Sequence, residues 1–163
     1  MRREKLVTLF ICLGIMVGAK SQGFNFSPSL EVVVNHSRQT DILKQCSRIT
    51  PKDVEGYWSI DTLSVQKLHA NFRKVQKLKP DCCTAMGWKI QNLQPYAFQY
   101  LGIIIKGKKF IYVNAFPKGR VEDVNEIPQD RLVNVCDGGT DFWGVLFDAN
   151  TSIFKSLSVN GGG

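Results

Sequence analysis

Apolar residues recur at Val65, Leu68, Phe72, Val75 and Leu78, a three-and-four spacing that predicts one amphipathic helix. Asp61 or Thr62 caps its start, and Pro80 closes it. Lys67, Arg73, Lys74 and Lys77 lie between the apolar positions, so the outer face is basic and solvated. Further on, the period shortens. Residues 96–105 and 109–116 are rich in β-branched and aromatic side chains and flank Lys106-Gly107-Lys108, which reads as a hairpin. A second hairpin runs over 142–147 and 152–159, around Asp148-Ala149-Asn150-Thr151. Residues 132–136 form a short strand candidate, and the polar, proline-containing stretch 117–130 is a loop.

The first half holds weaker signals. Residues 30–34 have strand chemistry without an evident partner, and belong either to an edge strand or to a leader. Thr50-Pro51-Lys52-Asp53 has the chemistry of a short helix start that Gly56 ends. Residues 80–95 make a long connector. Consecutive hairpins beside one helix predict an α+β domain: an antiparallel sheet of about four to five strands, with one main amphipathic helix packed on one face.

Within the first hairpin, Tyr96, Phe98, Tyr100, Phe110, Tyr112 and Phe116 recur at period two and read as one aromatic face. Leu101, Ile103, Ile105, Ile111 and Val113 form the other. With both faces apolar, the helix covers one, and the N-terminal segment or a partner must cover the second.

The N-terminus changes the setting. Arg2, Arg3 and Lys5 precede an apolar run from Leu6 to Ala19, and Gly18, Ala19 and Ser21 offer a cleavage zone near Gln22. This predicts a signal peptide over 1–21, a leader over 22–50, one α+β domain over 51–160 and a glycine tail over 161–163. The expected location is periplasmic or secreted, with no stable membrane span after cleavage. Cleavage takes away four cations and one anion, so the net charge falls from +7 to +4. That balance is too weak for a nucleic-acid signature.

Export also changes what the cysteines mean. Cys46, Cys82, Cys83 and Cys136 remain, an even set that suggests disulfides. A bond between the neighbours Cys82 and Cys83 is strained, so one is expected to reach Cys46 and the other Cys136. A zinc site would lack C-x-x-C spacing and a nearby histidine, and no metal or cofactor is predicted.

The densest chemistry lies in Cys136-Asp137-Gly138-Gly139-Thr140-Asp141-Phe142-Trp143-Gly144. The paired glycines permit unusual backbone geometry, Asp137 and Asp141 can bond turn amides, and Trp143 offers a large surface with one polar handle. Asp137, Gly138, Gly139, Asp141 and Trp143 are binding candidates, together with Tyr100 and Tyr112 of the hairpin. Catalysis by Cys136 would need a base, and His36 and His69 are both distant in sequence.

The segment CDGGTDFWGVLFDANTSIFKSLSVNG resembles the C-terminal signature of small exported bacterial proteins, many of them uncharacterised: a Cys-Asp-Gly-Gly turn, a Phe-Trp-Gly strand, an acidic turn and an Asn-Gly end. Residues 96–117 fit the strand pair that precedes it there, so the likeness covers roughly the last two fifths of the chain. It implies export and no transferable activity. The expected function is an exported, non-catalytic binding protein whose partner is a protein, a glycan or a small ligand. The alternative is a small extracytoplasmic enzyme that uses Cys136 or the Asp137/Asp141 pair.

Overall fold

A computed structural model describes residues 26–35, 41–81, 84 and 88–161. The predicted signal peptide, Cys82, Cys83 and the last two glycines lie outside the described residues.

The elements run β1 (Glu31–Val33), β2 (Val54–Tyr57), α1 (Thr62–Asn71), β3 (Tyr96–Ile105), β4 (Lys108–Pro117), β5 (Trp143–Asp148) and β6 (Ile153–Val159). They form one α+β layer pair. The sheet has six strands and is mixed, where the sequence predicted four to five antiparallel ones. β3, β4, β5 and β6 follow as an antiparallel meander. The far edge of β3 is shared: β1 pairs in parallel with residues 98–100, and β2 pairs antiparallel with residues 103–105. Ten residues of β3 leave room for two short strands end to end.

That edge corrects the reading of Thr50-Pro51-Lys52-Asp53. No helix starts there. The chain runs extended into β2, with Asp53 at φ 57° just before it. An unpaired β3 edge offers more hydrogen bonds than one isolated helical turn.

The main helix forms where its pattern places it. The Asp61 carboxylate accepts from the Ser64 amide at 2.7 Å, capping α1. After Asn71 the helix tightens into a 3₁₀ stretch, Phe72–Lys77, and ends before Pro80. Leu68, Phe72 and Val75 are fully buried, each worth about 1.5–3 kcal/mol by transfer. They meet Phe98, Tyr100, Val113, Trp143 and Val145 on the sheet, and Phe26 stacks on Phe72 with centroids 5.4 Å apart. The lysines and arginine of the outer helix face are exposed.

The hairpin aromatics do not share one face. Lys106 and Gly107 alone make the turn, with φ of 50° and 68°, the type I′ signature. A two-residue turn pairs Tyr100 with Val113 and Leu101 with Tyr112. Phe98 and Tyr100 therefore face the helix, whereas Phe110, Tyr112 and Phe116 face the opposite side. A loop layer covers that second side through Val34, Ile42, Leu43, Ile127, Leu132 and Phe142. Both apolar faces are thus buried within the chain.

Residues 132–136 do not form the expected strand. They lie extended across the second face, and side-chain amides take the place of a neighbouring strand. Gln99 Oε1 accepts from the Val133 amide at 2.7 Å, Asn114 Nδ2 donates to the Val133 carbonyl at 3.0 Å, and Asn160 Nδ2 donates to the Val135 carbonyl at 2.6 Å. Backbone laid over a sheet face must be satisfied in this way or remain costly.

Candidate functional site

The second face of the sheet carries the polar chemistry. Gln99 and Asn114 interrupt two otherwise apolar strands and pair directly across the hairpin. Asn114 Nδ2 donates to Gln99 Oε1 at 2.9 Å, and Gln99 Nε2 reaches the Pro128 and Arg131 carbonyls at 2.7 and 2.9 Å. Both residues are buried, and both spend their amides holding the loop layer down.

Arg48 enters this network from above. Its side chain is buried, with Nε donating to the Tyr112 hydroxyl at 3.2 Å and Nη1 to Asn160 Oδ1 at 3.1 Å, while Nη2 bonds Asn114 Oδ1. Every acceptor is neutral. Among the described residues no carboxylate lies within ion-pair distance of the guanidinium. A buried cation held only by dipoles leaves a positive potential around it.

Gly144 makes this arrangement fit. It pairs with Asn114 on one side and Ser158 on the other, and a Cβ there would lie 2.8 Å from Tyr112 Cζ. The glycine of the Phe-Trp-Gly strand therefore makes room for the Tyr112 phenol. Gly138 plays a similar part in the preceding turn, where an added Cβ would meet the Phe142 ring. Gly139 supplies a φ of 54°.

A disulfide anchors the same region. Cys46 bonds to Cys136, with Cα atoms 4.9 Å apart. This overturns the expected pairing of each with one member of Cys82-Cys83. Loop 41–48 and loop 132–137 cross the same sheet face, so the fold brings their cysteines together despite a separation of 90 residues. In this disulfide Cys136 holds no thiolate.

Beside Tyr112 opens a cleft of about 330 Å³, within the range of small-ligand sites. Ile105, Phe110 and Leu146 supply its apolar wall, and Ile49, Thr50, Pro51 and Lys52 form one rim. β6 contributes the other rim through Lys155, Ser156 and Ser158. A bulge puts Ser156 at φ 55° and shifts the register between Gly144 and Leu146. Lys155 Nζ stands 4.1 Å from the centroid of Phe110, so the ammonium lies over the wall. Ser158 is buried, and its hydroxyl has no hydrogen-bond partner among the described residues.

The other sequence candidates fall elsewhere. Trp143 and Tyr100 are in the helix-side core. Tyr100 donates to Glu31 Oε2 at 2.6 Å, and the same oxygen meets His69 Nε2 at 2.8 Å. Burial, reinforced by the Glu31 carboxylate, pushes the Tyr100 phenol well above its ordinary value. This cluster ties β1 to α1 and β3. Asp137 and Asp141 are exposed on the turn. Asp141 also lines a second, shallower cleft of about 250 Å³ with Trp88, Tyr96 and Thr140. Among the described residues no three His, Cys, Asp or Glu side chains group as metal ligands.

Of the sequence candidates among the described residues, only Tyr112 lines the larger cleft. Arg48, Lys52, Lys155 and Ser158 escaped notice. A usable signal existed for Gln99 and Asn114: polar residues at positions that a two-residue turn pairs across the hairpin. Nothing in the local sequence marks Arg48. No family model, curated protein or solved structure matches this chain.

Proposed function

We propose that this chain is an exported, non-catalytic binding protein that takes a small ligand in the cleft between Ile49–Lys52 and the β4–β5–β6 face. The observation that carries the reading is the cleft itself: an apolar wall, two lysines and hydroxyl groups around one opening, on a rigid sheet. Export is supported by the basic and apolar N-terminal pattern and by a disulfide between exposed cysteines, the usual chemistry of an oxidising compartment.

The test is a protein-observed NMR screen of the oxidised, signal-free chain against a library of small soluble compounds. Binders should shift amide signals of residues 49–52, 110–112 and 155–158 together. They should lose that effect in Leu146→Trp, which fills the cleft. A screen whose hits move only other surfaces, or that yields no hit, overturns the reading.

A further inference from the structure

Resting on that binding reading, the geometry points to the class of ligand: a small organic acid with an apolar body, its carboxylate held at the Lys52–Lys155–Tyr112 side of the cleft. Three observations converge on it.

The first is the balance of donors and acceptors. Lys52 and Lys155 bring two ammonium groups to the rim, against Asp81 on the lining and Asp148, which lies outside it in the field of Lys155. Tyr112 receives the Arg48 Nε–H on its oxygen. Arginine accepts nothing, so the phenolic hydrogen is left to donate elsewhere. Ser158 adds a buried hydroxyl without a partner among the described residues. A site so rich in unspent donors selects an acceptor.

The second is the buried charge behind the wall. Among the described residues Arg48 has only Tyr112, Asn114 and Asn160 as partners, all neutral. An anion on the cleft side of Tyr112 would sit in the field of that guanidinium and supply a counter-charge that none of the described residues provides within ion-pair distance. Low-dielectric surroundings make this field stronger than that of a surface lysine.

The third is size and wall chemistry. At about 30 Å³ per water-sized unit, the cleft holds on the order of eleven non-hydrogen atoms. Ile105, Phe110 and Leu146 offer apolar contact for most of them, which disfavours a bare inorganic anion.

Titration calorimetry with three probes of matched size separates the possibilities: octanoate, octyltrimethylammonium and octanamide, each below its micelle or solubility limit. The oxidised wild-type chain should bind octanoate saturably at one site and the other two at least tenfold more weakly. Lys52→Glu/Lys155→Glu should weaken octanoate roughly tenfold or more by removing and reversing two rim charges. Because Lys155 also packs over Phe110, the exposed Lys52→Glu alone serves as the second variant, and it should weaken octanoate in the same direction. Ser158→Ala should reduce octanoate affinity roughly tenfold with no loss of thermal stability, since its hydroxyl bonds nothing among the described residues. Equal binding of the amide or the ammonium probe at the cleft overturns the acid class while leaving a ligand-binding cleft in place. No binding of any probe, with cleft signals unmoved by every compound in the NMR screen, overturns both.

Discussion

Replacing Cys46 and Cys136 together with alanine removes a cross-link that closes a loop of 90 residues. The chain-entropy relation for a loop of that length gives about 15 cal/mol/K, or about 4.6 kcal/mol at 25 °C. Both cysteines are exposed, so the alanines forfeit little buried surface, and the loss should report the cross-link itself. Against an ordinary domain stability of about 5–15 kcal/mol, this is a third or more of the total. For a chain of this size it corresponds to a fall of roughly 10–18 °C in Tm. The assay is equilibrium unfolding in urea of the double variant and the parent, both without reductant, so that Cys82 and Cys83 experience the same conditions. The variant should show the lower stability together with a larger m-value, because an uncrosslinked unfolded chain exposes more surface. A loss below about 1 kcal/mol with unchanged m would refute the reasoning: the pair would then not constrain the unfolded chain.

Three further outcomes follow from local geometry. Gly144→Ala should cost about 1–3 kcal/mol by forcing the Tyr112 phenol aside, and in a double-mutant cycle it should be non-additive with Tyr112→Phe by at least about 0.5 kcal/mol. Additivity would show that the two do not touch. Asp61→Ala should lower stability at neutral pH through loss of the cap. The Ser64 amide lowers the Asp61 pKa from 3.8, so the cap contribution is present above that value and disappears as the pH falls below it; the two proteins should converge in acid denaturation. Tyr100→Phe should be less stable than the parent by about 1–3 kcal/mol at neutral pH, through the lost bond to Glu31. The Tyr100 pKa is raised above 10.0, so the folded state keeps a proton that the unfolded state loses, and the parent's advantage should shrink as pH rises past about 10. A gap that stays constant there would contradict the burial of the phenol.

An anionic occupant would also explain why the chain keeps a buried guanidinium at all. Its bonds to Tyr112, Asn114 and Asn160 are one reason for it, since removing it would leave those buried acceptors unpaired, and an anion would be a second. Arg48 donates to the hydroxyl of Tyr112, and Tyr112 lines the cleft.

What the sequence determined by itself is local. The main helix, its Asp61 cap and both C-terminal hairpins follow from periodicity and turn residues, because these signals act over a few neighbouring positions. The presence of two apolar faces on the first hairpin was equally readable. Which aromatic belonged to which face was not, although the two-residue turn at Lys106-Gly107 held the answer through its register. Tertiary structure decided the rest. The tandem use of the β3 edge by β1 and β2 depended on an unpaired strand edge that no local pattern reveals. The extended segment 132–136 took its partners from Gln99, Asn114 and Asn160, side chains up to 34 residues away. Cys46 met Cys136 because two loops cross the same sheet face. The cleft, finally, is assembled from a rim at 49–52 and a rim at 155–158 that share no sequence signal. Long-range packing, acting on the global arrangement of chain segments, is the physical reason those features wait for the fold.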